Sequence, residues 1–251
     1  MQEKPVLWES AFTVGSHDTD YMNGVRPSAL LRYLQETSNL EHRFCGPDLY
    51  RLRDENKIAF ILSKVSMKIS GAPAPFEELR VQSWYAGSRG FSFLRCGRVF
   101  HGDELICEMH SVWALTDITD PTDRKLLRAD TLELGFGAGE PLSLGFPPRM
   151  RFPADPEGIR VGQKKVLYAD CDLNRHMNNT HYPDLFLGFA GDLDGKRAEE
   201  IEISYLSEAP LGEELTVFRT EKDGDLFFRS VRASGAVNAE ARIRLTQREH
   251  P

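Results

Sequence analysis

The sequence is poor in the features that would place it in several large protein classes. Its four cysteines (Cys45, Cys96, Cys107, Cys171) are scattered without CxxC spacing, so neither a zinc knuckle nor a disulfide framework is indicated. No apolar run reaches the roughly 18–20 residues a membrane-spanning helix needs, so no stable membrane insertion is expected. The first residues, Met1 to Ser10, lack the long apolar core of a secretory signal, and the cytoplasm is the expected location. Positive charge is not in excess: the net charge of −7 argues against nucleic-acid binding. Strands and helices do not alternate, which excludes a doubly wound parallel sheet.

What remains is a 251-residue chain, long enough for one large domain or two smaller ones. Pro27 suits a first helical position, and Leu30, Leu31 and Leu34 recur at helical spacing up to about Phe44, before Gly46-Pro47. A short strand is expected at Phe12–Ser16 before this helix. After it the period changes to two. Between Ala59 and Ser70, Ile61, Val65, Met67 and Ile69 are expected on one face, with Lys64, Ser66 and Lys68 on the other. Strands at 79–85, 91–100 and 105–115 follow, separated by Gly87-Ser88-Arg89-Gly90 and His101-Gly102-Asp103-Glu104 turns. One helix followed by antiparallel strands is an α+β pattern.

The second half repeats the first. Asp18-Thr19-Asp20 recurs as Asp170-Cys171-Asp172, and each precedes a helical pattern, the second carried by Tyr182, Leu185, Phe186 and Phe189. Ala74-Pro75-Phe76-Glu77-Glu78-Leu79 recurs as Ala209-Pro210-Leu211-Gly212-Glu213-Glu214-Leu215, with Gly212 inserted. The expected organisation is a duplicated domain: residues 1–120, a Gly/Pro-rich crossing linker over 121–158, and residues 159–251.

The chemistry concentrates in Asp170-Cys171-Asp172-Leu173-Asn174-Arg175-His176-Met177-Asn178-Asn179. In an extended conformation Asp170, Asp172, Asn174 and His176 would project from one face, beside a helix N-terminus whose free N–H groups favour negative charge. Such a layout suits attack on a carbonyl. An Asn/Asp-rich turn capping a helix is the plainer reading of the same residues.

With Tyr182, this block resembles the DxDxNxHxNNxxY block of fatty acyl-acyl carrier protein thioesterases. Ile201-Glu202-Ile203-Ser204-Tyr205-Leu206-Ser207-Glu208 resembles that family's strand ending in Tyr-x-x-Glu, and Leu34-Gln35-Glu36-Thr37 its helix signature. The resemblance implies a tandem hotdog fold, each half a long helix packed on an antiparallel β-sheet. It implies hydrolysis of fatty acyl-acyl carrier protein to free fatty acid and carrier protein, terminating fatty acid synthesis. Its catalytic residues transfer to Asp172, Asn174, His176 and Glu208. Asp172 and Glu208 are then the carboxylate candidates, with Glu208 expected to activate water; attack by a carboxylate to form an anhydride is the competing scheme. The N–H groups near Asn178, Asn179 and Thr180 are the expected oxyanion donors. Plant members commonly carry a cysteine after the glutamate; here that position is Ala209, so a cysteine nucleophile there is excluded. The plastid-targeting extension of plant members is also absent, as expected for a bacterial enzyme.

By the repeat, Gly24 stands where the second half has His176 and Pro73 where it has Glu208, so the first half should be silent. By resemblance it supplies the acyl-chain pocket, with Leu30, Leu34, Ile61, Met67 and Trp113 as apolar candidates. No cofactor or metal is expected. The acyl carrier protein is acidic, so docking needs local basic surface, for which Lys164, Lys165, Arg175, Arg149 and Arg151 are candidates. The alternatives are an acyl-coenzyme A thioesterase and a non-catalytic acyl-binding hotdog protein. Either a monomer or a homodimer is compatible with a tandem pair.

Overall fold

The structure, a computed structural model, describes residues 4–120, 123–143, 145–155 and 157–248. The start of the expected linker and both ends of the chain lie in part outside them. Strand β1 (Trp8–Thr13) leads to helix α1 (Pro27–Cys45), a short α2 (Leu49–Asp54) and strands β2 (Ile58–Ile69), β3 (Glu78–Arg89), β4 (Ser92–His101) and β5 (Glu104–Asp117). The first strand thus sits a few residues earlier than the expected Phe12–Ser16. Strand β6 (Lys125–Leu127) pairs with β5, inside the stretch expected to be linker. The second half contains β7 (Ile159–Lys165), α3 (Tyr182–Leu187), β8 (Lys196–Tyr205), β9 (Glu214–Lys222), β10 (Asp225–Arg232) and β11 (Val237–Gln247).

All eleven strands form one antiparallel sheet in the order β1-β3-β4-β5-β2-β8-β11-β10-β9-β7, with β6 beside β5. The halves meet where β2 pairs with β8, from Lys64 opposite Ser204 to Lys68 opposite Glu200. At this seam Val65, Met67, Ile201 and Ile203 are buried in one core shared by both halves, which makes the junction continuous. Among the described residues no helix is long and apolar enough to cross a membrane.

Two local features differ from the periodicity. In β2 the pairing with β5 shifts between Leu62 and Lys64, a bulge at Ser63. An extra residue reverses which face each later side chain takes. Leu62 is therefore buried in phase with Val65, Met67 and Ile69, while Ile61 is only half-buried. Second, α3 is six residues long against nineteen in α1, so only the first half carries a long helix. The chain leaves α3 at Gly188 and turns at Gly191, whose φ of 96° is open to glycine and costly for other residues; Phe189 lies beyond the helix.

Candidate active site

The polar motif is a closed loop, not an extended strand. Asp172 N–H donates to His176 O at 2.9 Å, and Arg175 sits at φ 63° to close the turn. The Asp172 carboxylate oxygen Oδ1 accepts from the N–H groups of Asn174 (2.8 Å) and His176 (3.4 Å), an Asx turn. The first half builds the same loop: Asp20 Oδ1 accepts from Met22 N–H (2.9 Å) and Gly24 N–H (3.1 Å), and Asn23 has φ 64°. Because Asp20 performs this task where no histidine follows, the task is one of shape.

The loop's closure separates the residues that extended backbone would align. Asp170 turns away to Lys164, 2.8 Å from its ammonium, and accepts from Leu167 N–H at 2.8 Å. Partial burial opposes ionisation of its carboxyl, yet these contacts hold it below the usual carboxylate range. Asn178 caps the following 3-10 turn, its Oδ1 accepting from Thr180 N–H (3.0 Å) and Thr180 Oγ1 (2.9 Å), while its own N–H is spent on Asp170 O. Both outer members of the expected oxyanion group are therefore committed, and Asn179 is the one that borders the crevice.

Asp172, Asn174, His176 and Glu208 do converge, on a crevice of about 270 Å³ at the seam between the halves. The loop carries the first three, and Glu208 follows the end of β8. The two segments are stitched by Met177 N–H donating to Ala209 O (2.8 Å) and Leu211 N–H donating to Arg175 O (2.9 Å). Tyr205 donates its hydroxyl to Asn179 O at 3.0 Å, clamping the loop onto β8, and burial raises that phenol's pKa well above its ordinary value. Beneath, the Tyr182 hydroxyl accepts from Asn238 Nδ2 (3.0 Å), and burial pushes its pKa up to about 12. His176 Nδ1 lies 3.5 Å from Glu208 Oε2. Glu208 Oε1 is bound by Arg124, which reaches in from the segment before β6.

Phe60 and Leu62 from the first half and Arg124 from the crossing segment also line this crevice. None is singled out by the sequence: Arg124 belongs to no motif, and Leu62 falls outside the period of Ile61, Val65, Met67 and Ile69 because a bulge leaves no mark in the periodicity. Of the apolar candidates, Ile61 lines the crevice, Leu34 and Trp113 border a small cavity under α1, and Leu30 and Met67 lie in the main core.

The chain matches the family models described as the acyl-ACP thioesterase N-terminal domain, over residues 5–128, and the acyl-ACP thioesterase C-terminal domain, over residues 156–247. The chain belongs to the acyl-ACP thioesterase family. Membership makes it a thioester hydrolase, and the large antiparallel sheet with few helices is the hotdog-type arrangement of that family. No curated protein sequence matches this thioesterase. An acyl-ACP thioesterase from Bacteroides thetaiotaomicron is similar in structure, with a TM-score of 0.83, 20% identity, and 96% of this chain and 98% of that one covered. The 12:0-ACP thioesterase from Umbellularia californica is similar too, at TM-score 0.83 and 13% identity, with coverage of 96% and 98%. At these identities the likeness speaks for the fold.

The first half's loop borders a pocket of its own in the thioesterase, of about 340 Å³, lined among others by Asp20, Met22, Lys196, Arg197 and Arg248. There Arg248 binds both carboxylate oxygens of Asp20, at 3.3 and 3.1 Å. Its guanidinium fills the histidine's place: a Cβ on Gly24 would lie 2.2 Å from Arg248 Nη2.

Proposed function

We propose that this thioesterase cleaves fatty acyl-acyl carrier protein by direct attack of water in the seam crevice, with His176 and Glu208 acting as a pair. The observation that carries this reading is the placement of Glu208 between Arg124 and the Nδ1 side of His176. Each Glu208 oxygen faces a partner, so the carboxylate serves best as a fixed anion that accepts from Nδ1–H and orients the ring. Nε2 then carries the lone pair that takes the proton from water as it adds to the thioester carbonyl. The imidazolium so formed returns a proton to the departing thiolate. This division differs from the expectation that Glu208 itself activates water, and with a cation or imidazole on each oxygen the carboxylate is a weaker nucleophile for the anhydride scheme.

Asp172 keeps the loop that presents Asn174 and His176, and Asn174 stands at the crevice to position water or thioester. The Asn179 N–H, at the start of the 3-10 turn, is the oxyanion donor we assign. The first half (residues 1–120) supplies the acyl-chain pocket and the second (159–251) the catalytic groups, with 121–158 crossing between them and contributing Arg124. Lys165, Arg175, Arg149 and Arg151 are exposed and suit an acidic carrier protein, whereas Lys164 is already paired with Asp170. Release of free fatty acid would end fatty acid synthesis in the cytoplasm.

The substrate assignment is tested by hydrolysis of matched acyl-acyl carrier protein and acyl-coenzyme A esters across chain lengths. A higher kcat/KM on the carrier protein is expected. Preference for the coenzyme A esters would move the enzyme to the rival thioesterase class, and tight acyl binding without turnover would make it a binding protein.

A further inference from the structure

We propose that the acyl chain, entering the first half from the crevice, meets a buried polar subsite that receives an oxygen substituent on the chain. Arg95 and Gln35 line it, and Glu41 backs it as the partner of Arg95. The preferred substrates are then hydroxy- or oxo-acyl thioesters. This rests on the reading above that the acyl chain runs from the crevice into the first half.

Glu41 on α1 is fully buried, and the side chain of Arg95 on β4 is 3% exposed. Arg95 Nη2 donates to Glu41 Oε2 and, at 3.0 Å, to Ser83 Oγ. Their remaining groups are unmatched. Arg95 Nε and Nη1, Glu41 Oε1 and the nearby Gln35 Oε1 are buried without a hydrogen-bond partner among the described residues. Burial pushes the Glu41 carboxyl up and the Arg95 guanidinium down, each partly offset by the other's charge.

Gln35, Ser38, Ser83, Arg95 and Ser111 line a cavity of about 10 Å³ beneath α1, together with apolar side chains that include Leu34 and Leu62. That volume holds roughly one water-sized group. Leu62 also forms part of the catalytic crevice wall, so one leucine side chain lies on the border of both spaces. The bulge at Ser63 is what aims it there.

A methylene arriving in this cavity would leave the unmatched atoms of Arg95 and Gln35, which line it, desolvated and unpaired, a heavy penalty in the interior. A keto oxygen accepts from the guanidinium, and a hydroxyl both accepts from it and donates to Gln35 Oε1. Depth fixes where on the chain the oxygen belongs. In the sheet order β4-β5-β2-β8, Arg95 sits three strands from the catalytic end of β8, about 14 Å at the usual strand spacing. The oxygen therefore falls toward the distal end of a medium-length chain.

The test compares the enzyme on acyl-acyl carrier proteins of medium chain length, plain and hydroxylated at successive positions toward the methyl end. Calorimetry with the matching free fatty acids adds a readout that does not need turnover. At the best position a gain of about tenfold or more in kcat/KM over the plain chain is expected, in line with a hydrogen bond to charged groups. The paired substitution Glu41→Leu with Arg95→Met removes both charges at similar volume, which buried ion pairs tolerate better than loss of one partner. It should abolish that gain. Equal use of plain and hydroxylated chains by the wild type at every position would overturn the subsite, as would a folded double variant that keeps the preference. Absence of turnover together with preferential binding of the hydroxy acids would instead contradict the hydrolytic reading and leave the subsite standing.

Discussion

At the scale of single residues, the two aspartates of the motif do different work from the glutamate 36 positions beyond Asp172. Asp172 accepts backbone N–H groups, a role that an amide oxygen also fills. Asp172→Asn should therefore keep the fold and hold kcat within about tenfold, while Asp172→Ala should release the loop and cost about 1–2 kcal/mol, as lost side-chain caps do. Thermal melts beside steady-state kinetics check both; an inactive but normally stable Asp172→Asn would assign the carboxylate to chemistry. His42 makes a second residue-scale prediction. It is enclosed by the rings of Phe60, Phe93 and Phe136, with Pro47 O 3.2 Å from Nδ1. Burial, with the nearby Arg95 charge, lowers its pKa from 6.5 to about 3. Between those values the unfolded chain binds the proton that the folded one refuses. Stability carried by the neutral ring is thus complete above pH 6.5 and is lost as pH falls toward 3, by at most about 1.4 kcal/mol per unit. His42→Phe should flatten that part of the stability profile in denaturant melts between pH 4 and 7; an unchanged slope would contradict it.

At the scale of elements, what the sequence disclosed and what it hid have separate physical causes. Helix α1 was legible because Pro27, the leucine spacing and Gly46 are all local signals. The hairpins were legible through their glycines. The second helix was overextended because Tyr182, Leu185, Phe186 and Phe189 satisfy the helical period even though the backbone departs at Gly188. The phase of β2 was misassigned because a bulge depends on how a partner strand pairs, which no local pattern records. The polar motif was found by its residue types, but its conformation came from an Asx turn that competes with extended structure. Arg124 was invisible for the same reason as the bulge: its partner, Glu208, is distant in sequence, and only folding brings them together.

At the scale of the whole molecule, one sheet joins two copies of an Asp-centred loop, and only the second carries a histidine at its closing position. The copies share the Asp-centred turn and differ at the position that His176 holds in one and Arg248 fills over Gly24 in the other. Gly24→Ala should push Arg248 off Asp20 and destabilise by about 1–2 kcal/mol, with a smaller cost in an Arg248→Ala background. A double-mutant cycle by denaturant unfolding reads the coupling, and strict additivity would contradict the steric account. The crevice of the second loop depends on the whole chain, since Phe60 and Leu62 come from the first half, Arg124 from the crossing segment, and the loop and Glu208 from the second half.

The most direct test of that assembled site is the kcat on acyl-acyl carrier protein of folded His176→Ala and Glu208→Gln variants beside the wild type. The account predicts that His176→Ala loses about 10²–10⁴-fold, the usual contribution of a positioned acid–base group. Glu208→Gln should lose less, because an amide oxygen can still accept from Nδ1–H and keep the ring oriented. Near-wild-type turnover by His176→Ala, or a Glu208→Gln loss far exceeding that of His176→Ala, would contradict it and return the base to the glutamate.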